Sequence, residues 1–232
     1  MSIEKDNENL IEFWNQALKI DEETKKEFKQ YNEDDWTHLA PSLKLFDAAS
    51  LLGKKKKVLD YGCGTAWASI IANKSGCLDV TAVDVIKDGV ESAKLYAETF
   101  KANINALCVK PNWLENVESK AYDGIICSNV LDVVPLETSK YIIEQLARVA
   151  TDDALIIFSF NFYLDNETAS KRGMSFIDGN KLYINGVLRL LNLSDDEWKA
   201  LFDPYFEVVK LDYFAWPNEN KETRRLFILK KK

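Results

Sequence analysis

Hydrophobic residues near the start of the chain recur at helical spacing. Leu10, Trp14 and Leu18 fall on one side of a 3.6-residue repeat, which predicts an amphipathic helix over about residues 7–20. The polar stretch "EETKKEFKQY", residues 22–31, favours a second helix with little apolar surface. The first of these helices therefore has a face to bury against the rest of the protein.

A third helical pattern begins after Pro41 and ends at Gly53. Proline is favoured in the first turn of a helix and glycine just beyond the last, so both residues occupy the expected ends. The aromatic and polar stretch "YNEDDWTH" before it is typical of a loop. We expect residues 1–53 to form an N-terminal helical cap.

From residue 54 onward, short apolar runs alternate with helical patterns. The apolar runs predict five strands, at residues 57–61, 78–85, 104–109, 122–130 and 154–160. Helical patterns occupy three of the connections, at residues 65–74, 89–101 and 136–150. The remaining connection has about 12 residues, so any helix there must be short. This alternation predicts an α/β fold with a doubly wound, mostly parallel sheet and helices on both faces.

The chain leaves this alternation after the fifth strand. Residues 161–193 predict an inserted hairpin that turns at Asp178–Gly179. Ser194 and Glu197 have the spacing of a helix capping box, and two further strands follow that helix. With these two strands the sheet has seven, and residues 54–232 form one domain.

Composition and charge narrow the range of partners. The net charge is −7, and residues 1–35 hold 11 acidic and 5 basic residues. Such a segment repels nucleic acid. No apolar run is long enough to span a membrane, and no leader peptide is recognisable. The four cysteines stand singly, without a metal-ligand spacing, which predicts reduced thiols in a cytoplasmic protein with no metal site.

The stretch "VLDYGCGTAWAS", residues 58–69, places a glycine-rich turn between a buried strand and a helix. In parallel sheets, ligands bind beyond the carboxyl ends of the strands, where helix N-termini supply free N–H groups. Asp84 ends the second strand, and its carboxylate is suited to the two hydroxyls of a ribose. These features predict a nucleoside-containing ligand. Trp67 occupies the position where a dinucleotide-binding turn needs a small residue, which disfavours a nicotinamide cofactor.

At this turn the chain resembles the class I methyltransferases that use S-adenosylmethionine, whose first motif reads about V-L-D-x-G-C-G-T-G. The match "VLDYGCGTA" departs at Ala66, and alanine resists the positive φ that glycine adopts. The resemblance covers about residues 56–160. It implies S-adenosylmethionine as cofactor.

The same resemblance implies roles for individual residues. Asp60 would hold the methionine end of the cofactor, Asp84 the ribose, and Val85 would pack on the adenine. Asn112 stands where the family usually offers an Asp to the adenine, and Trp113 is either an aromatic wall beside it or a packing residue. The full set of implied cofactor residues is Asp60, Gly62, Cys63, Gly64, Thr65, Ala66, Asp84, Val85, Asn112, Trp113, Ser128 and Asn129.

Candidates for acid–base chemistry are few. His38 is the only histidine, and Asp132 lies near the position where the family often has one. Either is a candidate general base for a hydroxyl or carbon acceptor. The alternatives are a structural histidine and an aspartate that caps the following helix. Tyr31 and Trp36 are candidate walls of the substrate pocket, or residues that pack the cap.

The resemblance implies methyl transfer, and the acidic and aromatic character of the N-terminal helices and the insertion favours a small-molecule acceptor, neutral or cationic. The N-terminal helices and the 161–193 insertion would together form a lid over the acceptor pocket. The four-residue signature [DN]-P-P-[YF] of adenine and amide N-methyltransferases is absent, because "SNVL" stands in its place. Two alternatives remain: a protein that binds S-adenosylmethionine without catalysis, and a nicotinamide-dependent oxidoreductase.

Overall fold

The structure is a computed structural model that describes residues 3–19, 21–23, 26, 31–171, 173–174 and 176–232. Its α-helices are α1 Ile3–Ala17, α2 Leu43–Leu51, α3 Trp67–Lys74, α4 Lys87–Thr99, α5 Leu136–Val149, α6 Asn166–Lys171 and α7 Asp195–Phe202. Short 3₁₀ turns cover Glu33–His38, Leu52–Lys54 and Trp113–Asn116. Within the described residues, no helix combines the length and apolar character needed to cross a bilayer.

The described strands are β1 Val58–Tyr61, β2 Val80–Asp84, β3 Asn105–Cys108, β4 Tyr122–Ser128, β5 Ala150–Phe162, β6 Lys181–Ile184, β7 Val187–Leu191, β8 Phe206–Phe214 and β9 Arg224–Lys231. Seven of them form one sheet in the order β3-β2-β1-β4-β5-β9-β8. Of these seven, β9 alone runs opposite to the others. The predicted doubly wound, mostly parallel sheet is confirmed, and the strand order reverses between β1 and β4.

Helices cover both faces of the sheet because its strands are apolar on both sides. Along β1, Val58 packs with α2 and α3, whereas Leu59 packs with α5 on the opposite face. Asp60 and Tyr61 continue this alternation at the carboxyl end of the strand. The end of β1 therefore projects one polar side chain towards each layer, at the edge where the strand order reverses.

Several local predictions can be compared with the structure. α1 begins at Ile3, earlier than expected, and most of the predicted helix at residues 22–31 lies outside the described residues. The Oγ of Ser42, next to Pro41, caps α2 by accepting a hydrogen bond from the Leu45 N–H at 3.2 Å. The capping box of Ser194 and Glu197 is present at the start of α7.

The inserted hairpin forms after β5, but its turn differs from the prediction. β6 and β7 are joined by Asn185–Gly186, with φ values of 53° and 77°. Asp178–Gly179 also has positive φ at both residues, yet it closes only one isolated bridge, between Ile177 and Lys181. Both dipeptides suit a two-residue turn. The turn between the two paired strands forms at Asn185–Gly186, because the apolar strand Val187–Leu191 follows that dipeptide and pairs with β6.

Candidate active site

The turn between β1 and α3 contains three residues with positive φ: Gly62 at 71°, Gly64 at 52° and Ala66 at 59°. A Cβ at position 62 would lie 2.2 Å from Cγ2 of Val130, so the protein's own packing requires this glycine. A Cβ at position 64 would meet nothing within 4 Å. The second glycine therefore leaves open space above the backbone, where a ligand can approach.

Ala66 adopts the left-handed conformation, although alanine resists a positive φ. Its N–H donates to the carbonyl of Cys63 at 2.7 Å, and its own carbonyl accepts from Ile70 at 3.0 Å in the first turn of α3. The residue is fully buried. A non-glycine residue in this conformation costs roughly 1–2 kcal/mol, which the surrounding hydrogen bonds offset.

Asp84 links the end of β2 to the glycine turn. Its Oδ2 accepts the Gly64 N–H at 2.8 Å, and its Oδ1 accepts the Ile86 N–H at 2.9 Å. Burial raises the pKa of this carboxyl, while the backbone hydrogen bonds oppose that shift. Each oxygen keeps a second lone pair, so the carboxylate remains able to accept a pair of hydroxyl donors.

Asp60 is almost fully buried beneath the same turn. Its Oδ2 accepts hydrogen bonds from the Ser69 hydroxyl at 2.7 Å and the Ser69 N–H at 3.2 Å. Burial raises the pKa of the carboxyl to about 7, against the opposing effect of Ser69. No hydrogen bond to Oδ1 occurs within the described part of the chain, and Asp60 lines the adjoining cavity. A ligand cation placed there would meet an uncompensated carboxyl oxygen.

A cavity of about 840 Å³ opens at this edge of the sheet. It is mostly apolar and lies at the upper end of the ~300–1,000 Å³ typical of small-molecule sites. Sequence-predicted residues that line it are Asp60, Gly62, Cys63, Gly64, Thr65, Asp84, Val85, Asn112, Ser128 and Asn129. The structure thus brings together in one cavity most of the residues that the resemblance assigned to cofactor binding.

Other predicted site residues lie elsewhere. Ala66 and Trp113 support the cavity from behind without lining it. His38 is exposed at the end of a 3₁₀ turn, outside the lining. Tyr31 packs against Phe100, and Trp36 packs against Phe46, with ring centroids 5.9 Å apart in each pair.

Asp132 is sealed inside the protein instead of facing the cavity. Its Oδ2 accepts hydrogen bonds from the Asn161 N–H at 2.6 Å and from Asn161 Nδ2 at 2.9 Å. Burial raises the pKa of its carboxyl, and the nearby charge of Arg225 opposes the shift. The residue does not cap α5, whose N-cap is Pro135. Neither candidate general base reaches the cavity.

The roof of the cavity is α1, one of the helices predicted to form a lid. Asn7, Leu10, Ile11 and Trp14 line the cavity from above. Their helical spacing was the available signal. Further lining residues that the sequence did not indicate are Pro41, Trp67, Glu115, Val133, Glu137, Tyr141 and Trp216.

The inserted hairpin holds α1 in this position without lining the cavity itself. The Tyr183 hydroxyl donates to Asp6 Oδ2 at 2.9 Å, and Asn9 Nδ2 donates to the Gly186 carbonyl at 3.3 Å. The guanidinium of Arg189 lies 4.2 Å from the centre of the Phe13 ring. The predicted lid components are therefore in contact with each other, with α1 over the cavity and the hairpin behind it.

A family model described as "Methyltransferase domain" matches residues 24–180, more than half of the chain. The chain belongs to this family. Its strand order and glycine turn are those of the class I, S-adenosylmethionine-dependent type. The nicotinamide alternative is thereby removed.

Curated relatives of this methyltransferase domain have several acceptors. Ribosomal protein L11 methyltransferase of Thermotoga neapolitana is 28% identical over 145 residues, 61% of this chain and 52% of the relative. Ubiquinone biosynthesis O-methyltransferase of Rickettsia typhi is 31% identical over 107 residues, 46% of this chain and 42% of the relative. The chain spans about half the length of the curated relatives that it matches.

Solved structures share the fold at low identity. The 1,6-didemethyltoxoflavin-N1-methyltransferase of Burkholderia thailandensis, with bound 1,6-didemethyltoxoflavin and S-adenosylhomocysteine, superposes with a TM-score of 0.64 at 17% identity. That match covers 90% of this chain and 86% of the other. Magnesium protoporphyrin IX methyltransferase of Synechocystis, with bound S-adenosylhomocysteine, gives 0.60 at 20% identity, covering 82% of each chain.

The residues present fit S-adenosylmethionine as the cofactor. The open space above Gly64 and the Asp84 carboxylate suit a ribose, and the buried Asp60 carboxyl suits an ammonium group. An apolar surface that suits the adenine ring is formed by Val85, Ile86 and Val109, which line the cavity together with Asn112. Asp60, Gly64 and Asp84 are therefore the residues that would hold the cofactor.

Proposed function

We propose that this methyltransferase domain transfers a methyl group to a small-molecule acceptor, neutral or cationic, bound in the same cavity as the cofactor. The observation that carries the proposal is the cavity itself. It extends from the Gly64–Asp84 end to Asn129 and Trp216 beneath α1, and its volume of about 840 Å³ accommodates two small molecules.

The charges around the cavity support the nature of the acceptor. Four carboxylates line it, those of Asp60, Asp84, Glu115 and Glu137. Among the described residues that line it there is no lysine, arginine or histidine. An anionic acceptor would lose its hydration without gaining a partner there, so phosphates and carboxylates are disfavoured.

When bound, S-adenosylmethionine would supply a methyl group activated by its sulfonium: the acceptor's lone pair would form a bond to the methyl carbon as the C–S bond breaks and leaves its electron pair on sulfur. Asp60 and Asp84, which both line the cavity, would hold the two polar ends of the cofactor and so orient its methyl group. α1 excludes water from above through Leu10 and Trp14. Holding two reactants in line contributes about 7–11 kcal/mol to the lowering of such barriers, so positioning alone is a substantial catalytic device.

This mechanism requires no base from the protein. His38 is exposed outside the cavity, and Asp132 is enclosed behind it. A neutral amine attacks with its own lone pair and releases its proton to water after the transfer. The geometry therefore favours an amine over a hydroxyl or carbon acid.

Two further expectations belong to this proposal. We infer a cytoplasmic location, which the four free cysteines support because reduced thiols are typical of that compartment. We also infer that residues 1–53 form a cap. Its helix α2 is packed into the rest of the domain, since Leu45 and Ala49 belong to the same hydrophobic cluster as α3.

Titration calorimetry with S-adenosylhomocysteine tests the proposed cofactor site. We expect the wild-type protein to bind it and NADH to give no heat. Asp84→Asn replaces one carboxylate oxygen by an NH₂ group, which weakens the acceptance of ribose hydroxyls and also opposes one of the two backbone N–H donors, so it should reduce the affinity by about tenfold or more. Equal affinity in the variant would contradict the site.

Turnover then separates an enzyme from a protein that only binds the cofactor. We would incubate the protein with S-adenosylmethionine and a panel of small amines, phenols and ribosomal protein, and measure S-adenosylhomocysteine by mass spectrometry. Turnover of a small amine supports the proposal. Turnover of the ribosomal protein alone would assign the acceptor to the class named for the Thermotoga relative.

A further inference from the structure

Asn129 lies at the carboxyl end of β4 and lines the cavity. It has a φ of 55°, which asparagine tolerates better than most residues, and its N–H donates to the Ser159 carbonyl at 2.9 Å. The backbone of this residue is therefore fixed, and its side chain is held by hydrogen bonds to Asn161 and Ser159. The orientation of its amide decides whether the cavity meets a donor or an acceptor.

That orientation follows from a chain of hydrogen bonds behind the cavity. The backbone N–H of Asn161 can only donate, so Asp132 Oδ2, 2.6 Å away, accepts. The side-chain atom of Asn161 that contacts the same oxygen at 2.9 Å is therefore its NH₂ group. At the other end, Arg224 can only donate, and it contacts Asn161 Oδ1. Both neighbours assign the same orientation to the Asn161 amide.

Asn129 is next in this chain. Its Nδ2 donates to Asn161 Oδ1 at 3.3 Å, and its Oδ1 accepts the Ser159 hydroxyl at 3.3 Å. A flipped amide would place two oxygens against each other, so the NH₂ group of Asn129 is held towards the protein. A carbonyl oxygen accepts two hydrogen bonds, and the second lone pair of Oδ1 remains for a ligand in the cavity.

Trp216 also lines the cavity, and Arg224 connects it to Asn161, the hydrogen-bond partner of Asn129. The guanidinium of Arg224 lies 3.4 Å from the centre of the Trp216 ring. The carboxylate of Glu219 accepts hydrogen bonds both from this guanidinium and from the backbone N–H of Trp216. Because Arg224 is 4% exposed, its charge is fixed on one face of the ring. The other face is better suited to a neutral flat group than to a second cation, since two cations on one ring repel each other.

We propose that Asn129 and Trp216 form the acceptor subsite of the methyltransferase, and that it takes an uncharged, planar molecule carrying an N–H group, such as an aromatic amine. The N–H donates to Asn129 Oδ1 while the ring lies against Trp216. This assignment rests on the proposed function. It differs from the cofactor role that the sequence resemblance gave to Asn129.

Three planar probes of one shape test the subsite: 6-aminoquinoline, 6-methylquinoline and quinoline-6-carboxylate. Binding of each is measured by calorimetry on wild-type protein saturated with S-adenosylhomocysteine. We expect the amine to bind about tenfold more tightly than the methyl compound, which lacks the donor, and the carboxylate to bind most weakly. Trp216→Ala should weaken the amine and the methyl compound by the same factor, because both stack on the ring.

Variants at Asn129 give the decisive comparison. Asn129→Gly removes the amide and suits the positive φ, so the preference for the amine should disappear while S-adenosylhomocysteine still binds. Asn112→Leu, at the opposite end of the cavity, should weaken S-adenosylhomocysteine without changing the ratio between the probes.

Each result decides one question. Failure of wild-type protein to bind S-adenosylhomocysteine would overturn the proposed function itself. If that binding is intact but the three probes bind equally, or none binds, the acceptor proposal is overturned and the cofactor site stands. A preference that survives Asn129→Gly, or is lost in Asn112→Leu, would place the acceptor at another part of the cavity and also overturn it.

Discussion

At the scale of single residues, burial decides the protonation state of Asp60 in the cavity. Its pKa is raised from an ordinary 3.8 to about 7, so below that pH the carboxyl of the empty site holds a proton. The ammonium group of the ligand favours the ionised form. We therefore expect S-adenosylhomocysteine binding to release a proton below about pH 7, and its affinity to rise by up to about tenfold per pH unit between roughly pH 5.5 and 7.

Calorimetry in buffers of different ionisation enthalpy measures that proton release directly. Asp60→Asn has no titrating group and should show neither the release nor the slope. The sign for stability is the opposite: between pH 3.8 and about 7 the folded state holds more protons, so the contribution of Asp60 to the free energy of unfolding falls as pH rises. A pH-independent affinity in the wild-type protein would contradict the assignment.

Ala66 tests the backbone conformation of the turn. Ala66→Gly relieves the cost of positive φ, roughly 1–2 kcal/mol, but it loses a buried methyl worth about 0.8 kcal/mol and gains freedom in the unfolded chain. We expect these effects to cancel to within about 1 kcal/mol of unfolding free energy. Ala66→Val adds branching at a buried, positive-φ position and should lose about 2 kcal/mol or more. Urea denaturation distinguishes them, and equal losses would contradict the conformation.

At the scale of secondary-structure elements, the β6–β7 hairpin holds α1 over the cavity. Arg189→Met keeps the length of the side chain but removes its cation–π contact with Phe13, which is worth about 0.5–1 kcal/mol. We expect faster amide hydrogen exchange in residues 3–17 and a two- to fivefold weaker affinity for S-adenosylhomocysteine. Lys171→Met on α6, exposed and paired with Glu167, is the matched control and should change neither. Faster exchange with unchanged affinity would show that the helix covers the cavity without contributing to binding.

At the scale of the whole molecule, an aromatic cluster joins the parallel part of the sheet to its antiparallel edge. Phe160 on β5 stacks on Trp198 of α7 with centroids 4.4 Å apart and meets Phe227 of β9 edge-on at 5.6 Å. All three are buried. Phe160→Ala should lower the free energy of unfolding by about 3–5 kcal/mol, whereas Tyr163→Ala, 48% exposed and three residues away, should lower it by less than about 1 kcal/mol. Urea denaturation measures both, and similar losses would contradict this account of the core.

The sequence by itself determined the layered fold and the residues proposed for the cofactor end of the cavity. Strand and helix periods alternate along residues 57–160, and right-handed crossovers then leave few possible topologies. The glycine turn and Asp84 lie at adjacent strand ends in any such sheet. Their interaction, at 2.8 Å between Gly64 N and Asp84 Oδ2, is a local consequence of neighbouring parallel strands.

The tertiary structure alone brought together the residues of the proposed acceptor end. Trp216, Asn161 and Asn129 come from distant parts of the chain, and no sequence period relates them. Asp132 illustrates the difference: its position after β4 made it a candidate general base, but hydrogen bonds from Asn161 at the end of β5 hold its carboxylate behind the cavity. Side-chain contacts across a sheet depend on how the layers pack, whereas strand ends depend on local pattern. That is why the cavity residues proposed to hold the cofactor could be named from the sequence, whereas those of the proposed acceptor subsite could not.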